Sequence, residues 1–266
     1  MSNQSAGTSF HMENFKRRSR YAMVFILLIL AFGLITVLNI NTGNVHISLS
    51  EIIDILLKKA TDTKEYSIIW KIRLPRILMA AILGGALSLS GFLLQTFFEN
   101  PIAGPFVLGI SSGAKLVVAF VMILFLGKGL FMGSASMIMA AFAGSMLSMG
   151  FVLVIARRVR QMPVLVVCGV MISYICSAIT DFVVTFADDA NIVNLHNWSM
   201  GSFSGTTWDQ VRVMAAVVLP VSVLSFCMAK PISAYQLGEE YARSLGVNAK
   251  RFRAELILLS SILSAC

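Results

Sequence analysis

Seven sparsely charged apolar runs dominate this chain, at roughly residues 21–40, 77–98, 106–126, 131–156, 163–187, 208–229 and 254–266. A helix needs about 20 residues to cross about 30 Å of hydrocarbon. In lipid, every backbone N–H and C=O must find its partner inside the protein, and that confines a spanning chain to helices or a closed barrel. The first six runs have the length of spanning helices, whereas the 13 residues of the last are too short, so the chain reads as stopping inside a membrane helix. The predicted class is all-α, a polytopic membrane helical bundle of about seven helices. Composition agrees: 57% of residues are hydrophobic and 13% charged, against about 25% charged in soluble domains.

The formal charge of +8 would point to nucleic acid in a soluble protein. Here the basic residues sit in short segments between apolar runs, as the positive-inside rule expects, which removes nucleic acid as a partner and leaves the lipid bilayer. Lys16, Arg17, Arg18 and Arg20 precede the first run; Arg157, Arg158 and Arg160 follow the fourth; Lys230, Arg243, Lys250, Arg251 and Arg253 lie between the sixth and seventh. If every run crosses, these segments share one side, and the amino terminus is cytoplasmic. The stretch "ADDANIVNLHNWSMGSFSGTTWDQ" on the other side holds neither Lys nor Arg. Residues 1–20 then form a polar, basic cytoplasmic segment and 21–266 the membrane domain. The first run exceeds the core of a signal peptide and is not followed by a small-residue cleavage pattern, so Tyr21–Ile40 reads as a retained helix.

Residues 41–76 break the charge rule. They belong outside by alternation but contain Lys58, Lys59, Lys64, Lys71, Arg73 and Arg76. Glu51, Asp54, Asp62 and Glu65 offset the first part, where "SLSEIIDILLKK" has a serine cap and helical apolar spacing, the pattern of a short surface helix. In "KIRLPR" nothing offsets the cations. Pro75 suits a first helical turn, which would start the second span there and leave both guanidiniums facing water, phosphate or a partner.

Small residues recur at helical spacing. Gly84, Gly85, Ala86, Ser88, Ser90 and Gly91 in the second run, and Ala140, Gly144 and Ser148 in the fourth, are spaced for close helix contact. Packing is the simpler reading of each; lining a substrate path is the other. Asp181, toward the outer part of the fifth run, and Lys115, one to two turns into the third, are the charged groups placed away from the run ends, too few for the carboxylate relays of ion-coupled pumps. "LGISSGAKL" lacks Walker spacing, so ATP binding by that route is not expected. "QLGEEYARSLGVNAK" (236–250) puts Leu237, Tyr241 and Leu245 on one helix face, with Gly246 as a C-cap; such a face lies on lipid or docks into a partner. Trp198 and Trp208 suit an interfacial aromatic belt. Cys168, Cys176, Cys227 and Cys266 lie in apolar runs and read as small core residues, and His46 and His196 lack partners at ligand spacing. No metal site, cofactor or catalytic residue is expected, and the chain is not read as an enzyme.

"RLPRILMAAILGGALSLSGFLLQTFFENPIAGPFVLGISSGA", "WSMGSFSGTTW" and "LGEEYARSLGV", in that order, resemble the FecCD-type permeases, the membrane subunits of ABC importers for iron-siderophores, haem and vitamin B12. The resemblance implies about seven of the family's ten helices, in a multi-pass protein of the cytoplasmic (inner) membrane. It implies as partners a second permease subunit in a homo- or heterodimer, cytoplasmic ABC ATPase subunits and an extracytoplasmic substrate-binding protein. By the same resemblance Arg73 and Arg76 would dock the binding protein, and Leu237, Glu239, Glu240, Arg243, Leu245 and Gly246 would contact the ATPase. Gly84, Gly85, Ser88, Gly91, Gln95, Asn100 and Pro101 would serve helix packing or the translocation path. Glu99 departs from the family's usual basic residue before Asn-Pro. The expected cargo is an iron chelate, with vitamin B12 as the alternative; an ion-coupled transporter working without an ATPase is the competing class.

Overall fold

In the computed structural model the described residues are 2–266 except 44, 46, 48, 58–62, 107, 124–133, 157, 160 and 161. His46, Lys58, Lys59, Asp62, Arg157 and Arg160, the serine at the head of "SLSEIIDILLKK" and the connection between the third and fourth runs therefore lie outside the described residues. Two compact units are present, residues 1–77 and 78–266. Every regular element among the described residues is helical. Among the described residues five helices are long and apolar enough to cross a membrane: Phe15–Asn41, Lys64–Phe98, Ser136–Ile155, Pro163–Val184 and Trp208–Cys227.

In the first unit, α1 (Ser2–Asn41) begins well before the expected Tyr21, because the basic segment before the apolar run contains no breaker and continues the helix out of it. Next comes α2 (Leu49–Leu56), the expected surface helix, which buries Ile52 and Ile55 against Ile40, Ile47 and Ile69. The second span does not start at Pro75. Thr63 caps α3 (Lys64–Ile68) by accepting from the Tyr66 N–H at 3.2 Å, and α3 runs through a π-turn (Ile69–Arg73) into α4 (Leu74–Phe98). Inside a helix a proline removes one N–H and its ring collides with the carbonyl four residues back. The wider π-turn just before Pro75, closed by the Leu74 N–H on the Ile69 carbonyl, lets the helix continue past it.

In the second unit, α4 ends in a reversed turn with Glu99 at φ 49°, where the Glu99 and Asn100 N–H groups donate to the Thr96 and Gln95 carbonyls. Of the expected span over 106–126, the described part is α5 (Ile110–Val121) and the two π-helical residues that follow it; 107 and 124–126 lie outside the described residues. Pro101 and Pro105, followed by Gly109 at φ 77°, keep the chain from coiling earlier. After α5 come α6 (Ser134–Ala156), α7 (Met162–Val184), α8 (Asp189–Met200), α9 (Trp208–Cys227), α10 (Ala229–Tyr235), α11 (Glu239–Ser244) and α12 (Ala249–Ala265). A capping box of Thr207 and Gln210 starts α9. Helix α8 has no counterpart among the sequence expectations: the Lys- and Arg-free outer segment folds back, and Leu195 and Trp198 pack with Val118 and Ala119 of α5. Trp198 is thus half-buried, and Trp208, also half-buried, packs by Met79, Val211 and Met214. Cys168, Cys176 and Cys266 are partly buried as expected, but Cys227, at the end of α9, is exposed.

The tightest packing joins α5 to α6. A Cβ on Gly113 would lie 2.6 Å from the Gly144 carbonyl oxygen, and one on Gly144 would run into the Gly113 carbonyl. Hydrogen atoms alone fit there, so the two backbones approach as only glycines allow. Ser148 then donates to the Gly109 carbonyl at 2.8 Å, and Ser145 to that of Ile110 at 3.4 Å, tying the start of α5 to α6. In α4 the expectation for small residues divides. Ala86 and Ser90 are buried, and Ser90 donates to the Ser260 carbonyl of α12 at 2.8 Å. Gly84, Gly85 and Ser88 are exposed, and a Cβ at Gly84, Gly85 or Gly91 would meet nothing within 4 Å; these residues do not pack against another described helix. The physical reason is that 84, 85 and 88 fall on the face of α4 turned away from α12.

Gly144→Ala should therefore lower the unfolding free energy of the full permease in detergent by about 1–3 kcal/mol. Gly150→Ala, on the same helix with nothing within 4 Å of a new Cβ, should change it by less than about 0.5 kcal/mol. Thermal unfolding of the two variants checks the difference.

Candidate functional site

The two arginines around Pro75 occupy different environments. The Arg73 guanidinium donates to the Ile40 carbonyl, in the last turn of α1, and at 2.7 Å to the Val45 carbonyl. The last carbonyls of a helix have no partner within it, and a cation there also offsets the negative end of the helix dipole. Arg73 thus holds the end of α1 and the following turn. Gly43 leaves room for this: a Cβ there would lie 2.5 Å from Arg73 Nη2. One helical turn on, Arg76 is exposed, as are Lys71 and Ile72, and the described contacts of Arg73 do not extend to it. Sequence reasoning groups Arg73 with Arg76 because both are basic; it misses the carbonyl acceptors, which lie 33 and 28 residues away in the chain and carry no side-chain signature.

The polar stretch expected as one helix over 236–250 is an elbow of three short elements. Leu237 lies in the turn after α10, α11 is six residues long, and Asn248 caps α12 by accepting from the Arg251 N–H at 3.2 Å. The Gly246 N–H donates to the Arg243 carbonyl at 3.0 Å and the Val247 N–H to that of Ala242 at 3.0 Å, with Gly246 at φ 86°. This is the Schellman arrangement, and it makes Gly246 the C-cap the spacing predicted. Ala242, on the inner side of α11, is fully buried, while Leu237, Tyr241 and Leu245 are 70%, 49% and 60% exposed. Tyr241 of α11, with Leu237 before the helix and Leu245 after it, thus presents apolar surface outward with charges flanking it: Glu239 and Glu240 lie in the first turn, and Arg243 pairs with both. These exposed pairs contribute roughly 0–1 kcal/mol each, so they orient the face more than they stabilise the fold.

Beneath the elbow lies an aromatic and ionic layer that sequence reasoning missed. The Tyr235 ring packs on Phe252 with centroids 5.2 Å apart. Arg253 places its guanidinium over the Phe97 ring, 5.2 Å from the centroid, and reaches Glu239 at 3.9 Å. Gln236 donates to the Thr96 hydroxyl at 3.4 Å. Burial pushes the Tyr235 phenol up to about 12; the nearby Arg253 guanidinium pulls the other way, while the Glu239 and Glu99 carboxylates add to the rise. Its hydroxyl is buried and has no hydrogen-bond partner among the described residues. In the sequence, the basic residues of "KRFR" serve only as a topology marker; the alternation of ring and guanidinium in Phe252 and Arg253 is the available sign.

At the end of α4, Asn100 shapes the turn: its side-chain oxygen accepts from the Ile102 N–H at 2.9 Å and its carbonyl from that of Ala103 at 3.2 Å. Gln95 and Pro101 are exposed. No described contact joins these residues to Gly84 or Gly85 in one site. In the second unit Lys115 is half-buried on α5 and Asp181 exposed near the end of α7.

Residues 27–266 match the FecCD transport family. The haemin transport system permease HmuU of Yersinia pestis is 32% identical over 91% of this chain and 70% of its own length. The vitamin B12 import system permease BtuC of Vibrio parahaemolyticus is 34% identical over 95% of this chain and 72% of its own. A solved structure described as an inward-facing conformation of a metal-chelate type ABC transporter superposes with a TM-score of 0.80 at 24% identity, over 92% of this chain and 75% of that one; it shares the fold.

Two stability changes follow. Arg73→Gln removes two charge-assisted hydrogen bonds to carbonyls, which are worth roughly 1.5–3 kcal/mol apiece before solvent screening, and should visibly lower the melting temperature; Arg76→Gln should not. Tyr235→Phe deletes a buried hydroxyl that has no described partner, and should leave the melting temperature unchanged or raise it by an amount worth up to about 1 kcal/mol. Differential scanning fluorimetry on purified variants reads both.

Proposed function

The chain belongs to the FecCD transport family, whose members are permeases of ABC importers, and from that premise we propose that it forms part of the path for an iron chelate, a siderophore or haem, across the inner membrane. ATP hydrolysis in a partner subunit drives the movement. The observation that carries the reading is the outward apolar surface of the elbow, Tyr241 of α11 with Leu237 just before the helix and Leu245 just after it, closed at Gly246 and with Ala242 buried on the inner side of α11. In a membrane protein, such a face on a polar segment between spans fits a groove on a soluble partner better than it fits lipid, because Glu239 and Glu240 flank it. The ATPase is that partner, with Glu239, Glu240, Arg243, Leu245 and Gly246 at the contact.

At the outer surface the extracytoplasmic binding protein docks through a carboxylate on Arg76, whose guanidinium is exposed. Arg73 supports the dock by holding α1 and its following turn in place. A second permease subunit completes the path, and the exposed Gly84, Gly85 and Ser88 face of α4 is available to line it or to meet that subunit. The chain supplies no chemistry of its own: transport is an alternation between inward- and outward-open states, biased by the ATPase's different affinity for each.

Support for iron-chelate cargo comes from the haemin permease and the metal-chelate transporter. Vitamin B12 is the second reading, favoured by the BtuC relatives. The test uses proteoliposomes holding the permease with its ATPase, with the binding protein outside. ATP-dependent uptake of an iron-loaded siderophore or haem is expected, indifferent to collapse of sodium and proton gradients. Uptake of cyanocobalamin alone would replace the cargo, and gradient-driven uptake without the ATPase would overturn the class. In the same system Arg76→Glu should weaken binding-protein docking at least tenfold and reduce its salt dependence, as the loss of an exposed ion pair predicts for on-rate-dominated docking.

A further inference from the structure

Arg253 stands where three elements meet. It lies in the first turns of α12, its side chain is 19% exposed, and its guanidinium covers the ring of Phe97, a residue 1% exposed in the last turn of α4. The same guanidinium lies 3.9 Å from a carboxylate oxygen of Glu239, the first residue of α11. Glu239 faces a second guanidinium as well, that of Arg243, but Arg243 belongs to α11 itself and is 51% exposed. When α11 shifts as a body the Glu239–Arg243 pair travels with it unchanged. The Glu239–Arg253 contact, by contrast, must stretch, swing or carry Arg253 along, and Arg253 rests on α4.

We propose that Arg253 is a positioning residue that transmits displacement of α11 to the end of α4, with its edge on Glu239 and its face on Phe97. This rests on the reading that α11 receives the ATPase. Guanidinium chemistry suits such a link, because the plane stacks on a ring while N–H groups at its rim point to an acceptor beside it; an ammonium has no plane to stack and no fixed rim of donors. The layer around it is stiff. Phe97 packs edge-on against Phe98 at 4.6 Å, both rings being buried, and Tyr235 stacks on Phe252, the neighbour of Arg253. Gln236, just ahead of α11, reaches Thr96, one residue before Phe97, so a second polar contact joins the elbow to the same turn of α4. From that turn α4 continues to Ser90, which is bonded to the α12 backbone. Movement delivered at Phe97 therefore reaches a helix committed to α12 on one face and open on the other.

The experiment compares wild type, Arg253→Lys, Phe97→Leu and the double variant in the proteoliposome complex of permease, ATPase and binding protein. Assembly, ATPase rate without binding protein, and cargo taken up per ATP hydrolysed are read for each. Arg253→Lys is expected to assemble normally and to keep its ATPase rate within about twofold, while uptake per ATP falls about fivefold or more, the low end of the usual coupling between sites. Phe97→Leu should fall likewise, and the double variant should fall no further than the worse single variant. Unchanged uptake per ATP in Arg253→Lys overturns the proposal. So does a loss that tracks loss of assembly, which marks Arg253 as merely structural, or additive losses in the double variant. A wild-type complex that takes up cargo without ATP overturns the functional reading itself, and with it this inference; the other outcomes leave that reading standing.

Discussion

The governing constraint is that no backbone polar group can go unsatisfied in hydrocarbon. Helices meet it within themselves, so the described architecture is helix after helix, and interest concentrates where a helix fails. Between α4 and α5 the described residues from 100 to 109 are not helical, yet Ala103, Pro105 and Leu108 are buried. Irregular backbone is tolerated at such a place when protein groups take over the pairing. Asn100 does so at the start of the stretch, and Ser148 does so at its end by donating to Gly109. Ser148 reaches that carbonyl because Gly113 and Gly144 let α5 and α6 come together without side chains between them. One pair of missing methyl groups thus underlies both the packing and the hydrogen bonding of the short helix.

Charge obeys the same constraint. Three guanidiniums have three different fates. Arg73 directs its donors to the Ile40 carbonyl in the last turn of α1 and to the Val45 carbonyl beyond it. Arg253 lies on an aromatic ring with a carboxylate beside it. Arg76 is left exposed. A shared residue type within a four-residue motif is therefore a poor guide to shared duty: at Arg73 and Arg76 the difference is made by whether the end of α1 lies within reach.

Much of the fold is legible in the sequence because hydropathy over about 20 residues reports a property that lipid imposes directly. The apolar cores of α1, α4, α6, α7 and α9, the surface helix α2 and the Gly246 cap all follow from local pattern. Less legible is anything shorter than that window or dependent on distant partners. Helix α8 is polar enough to pass for a loop, since its apolar contacts are few: Leu195 and Trp198 seat it on α5. Pro75 suggests a helix start because proline usually marks one; the π-turn that permits it mid-helix leaves no residue signature. Of the candidate site, the outward apolar residues Leu237, Tyr241 and Leu245 are readable from their spacing although the elbow that carries them is not, whereas Arg73 on backbone carbonyls and Arg253 on Phe97 join residues 28 to 156 positions apart, a separation no local pattern records.

These contacts make α12 more than the last helix. It receives the Ser90 hydroxyl from α4 on its Ser260 carbonyl, presents Phe252 to Tyr235 of α10, and presents Arg253 to Glu239 of α11. Leu256, Ile257 and Leu263 are buried in the main core with Leu93, Leu94 and Met149. Each link is individually modest: a ring contact or a neutral hydrogen bond contributes about 0.5–1.5 kcal/mol, and the Glu239–Arg253 pair, though largely buried, is a single contact at 3.9 Å and not a close bidentate one, so none of them alone locks the elbow to the bundle. That weakness is suited to a device that must move: a contact worth many kcal/mol would hold α11 in one position, whereas several small ones on a common helix let it shift while remaining in register with α4.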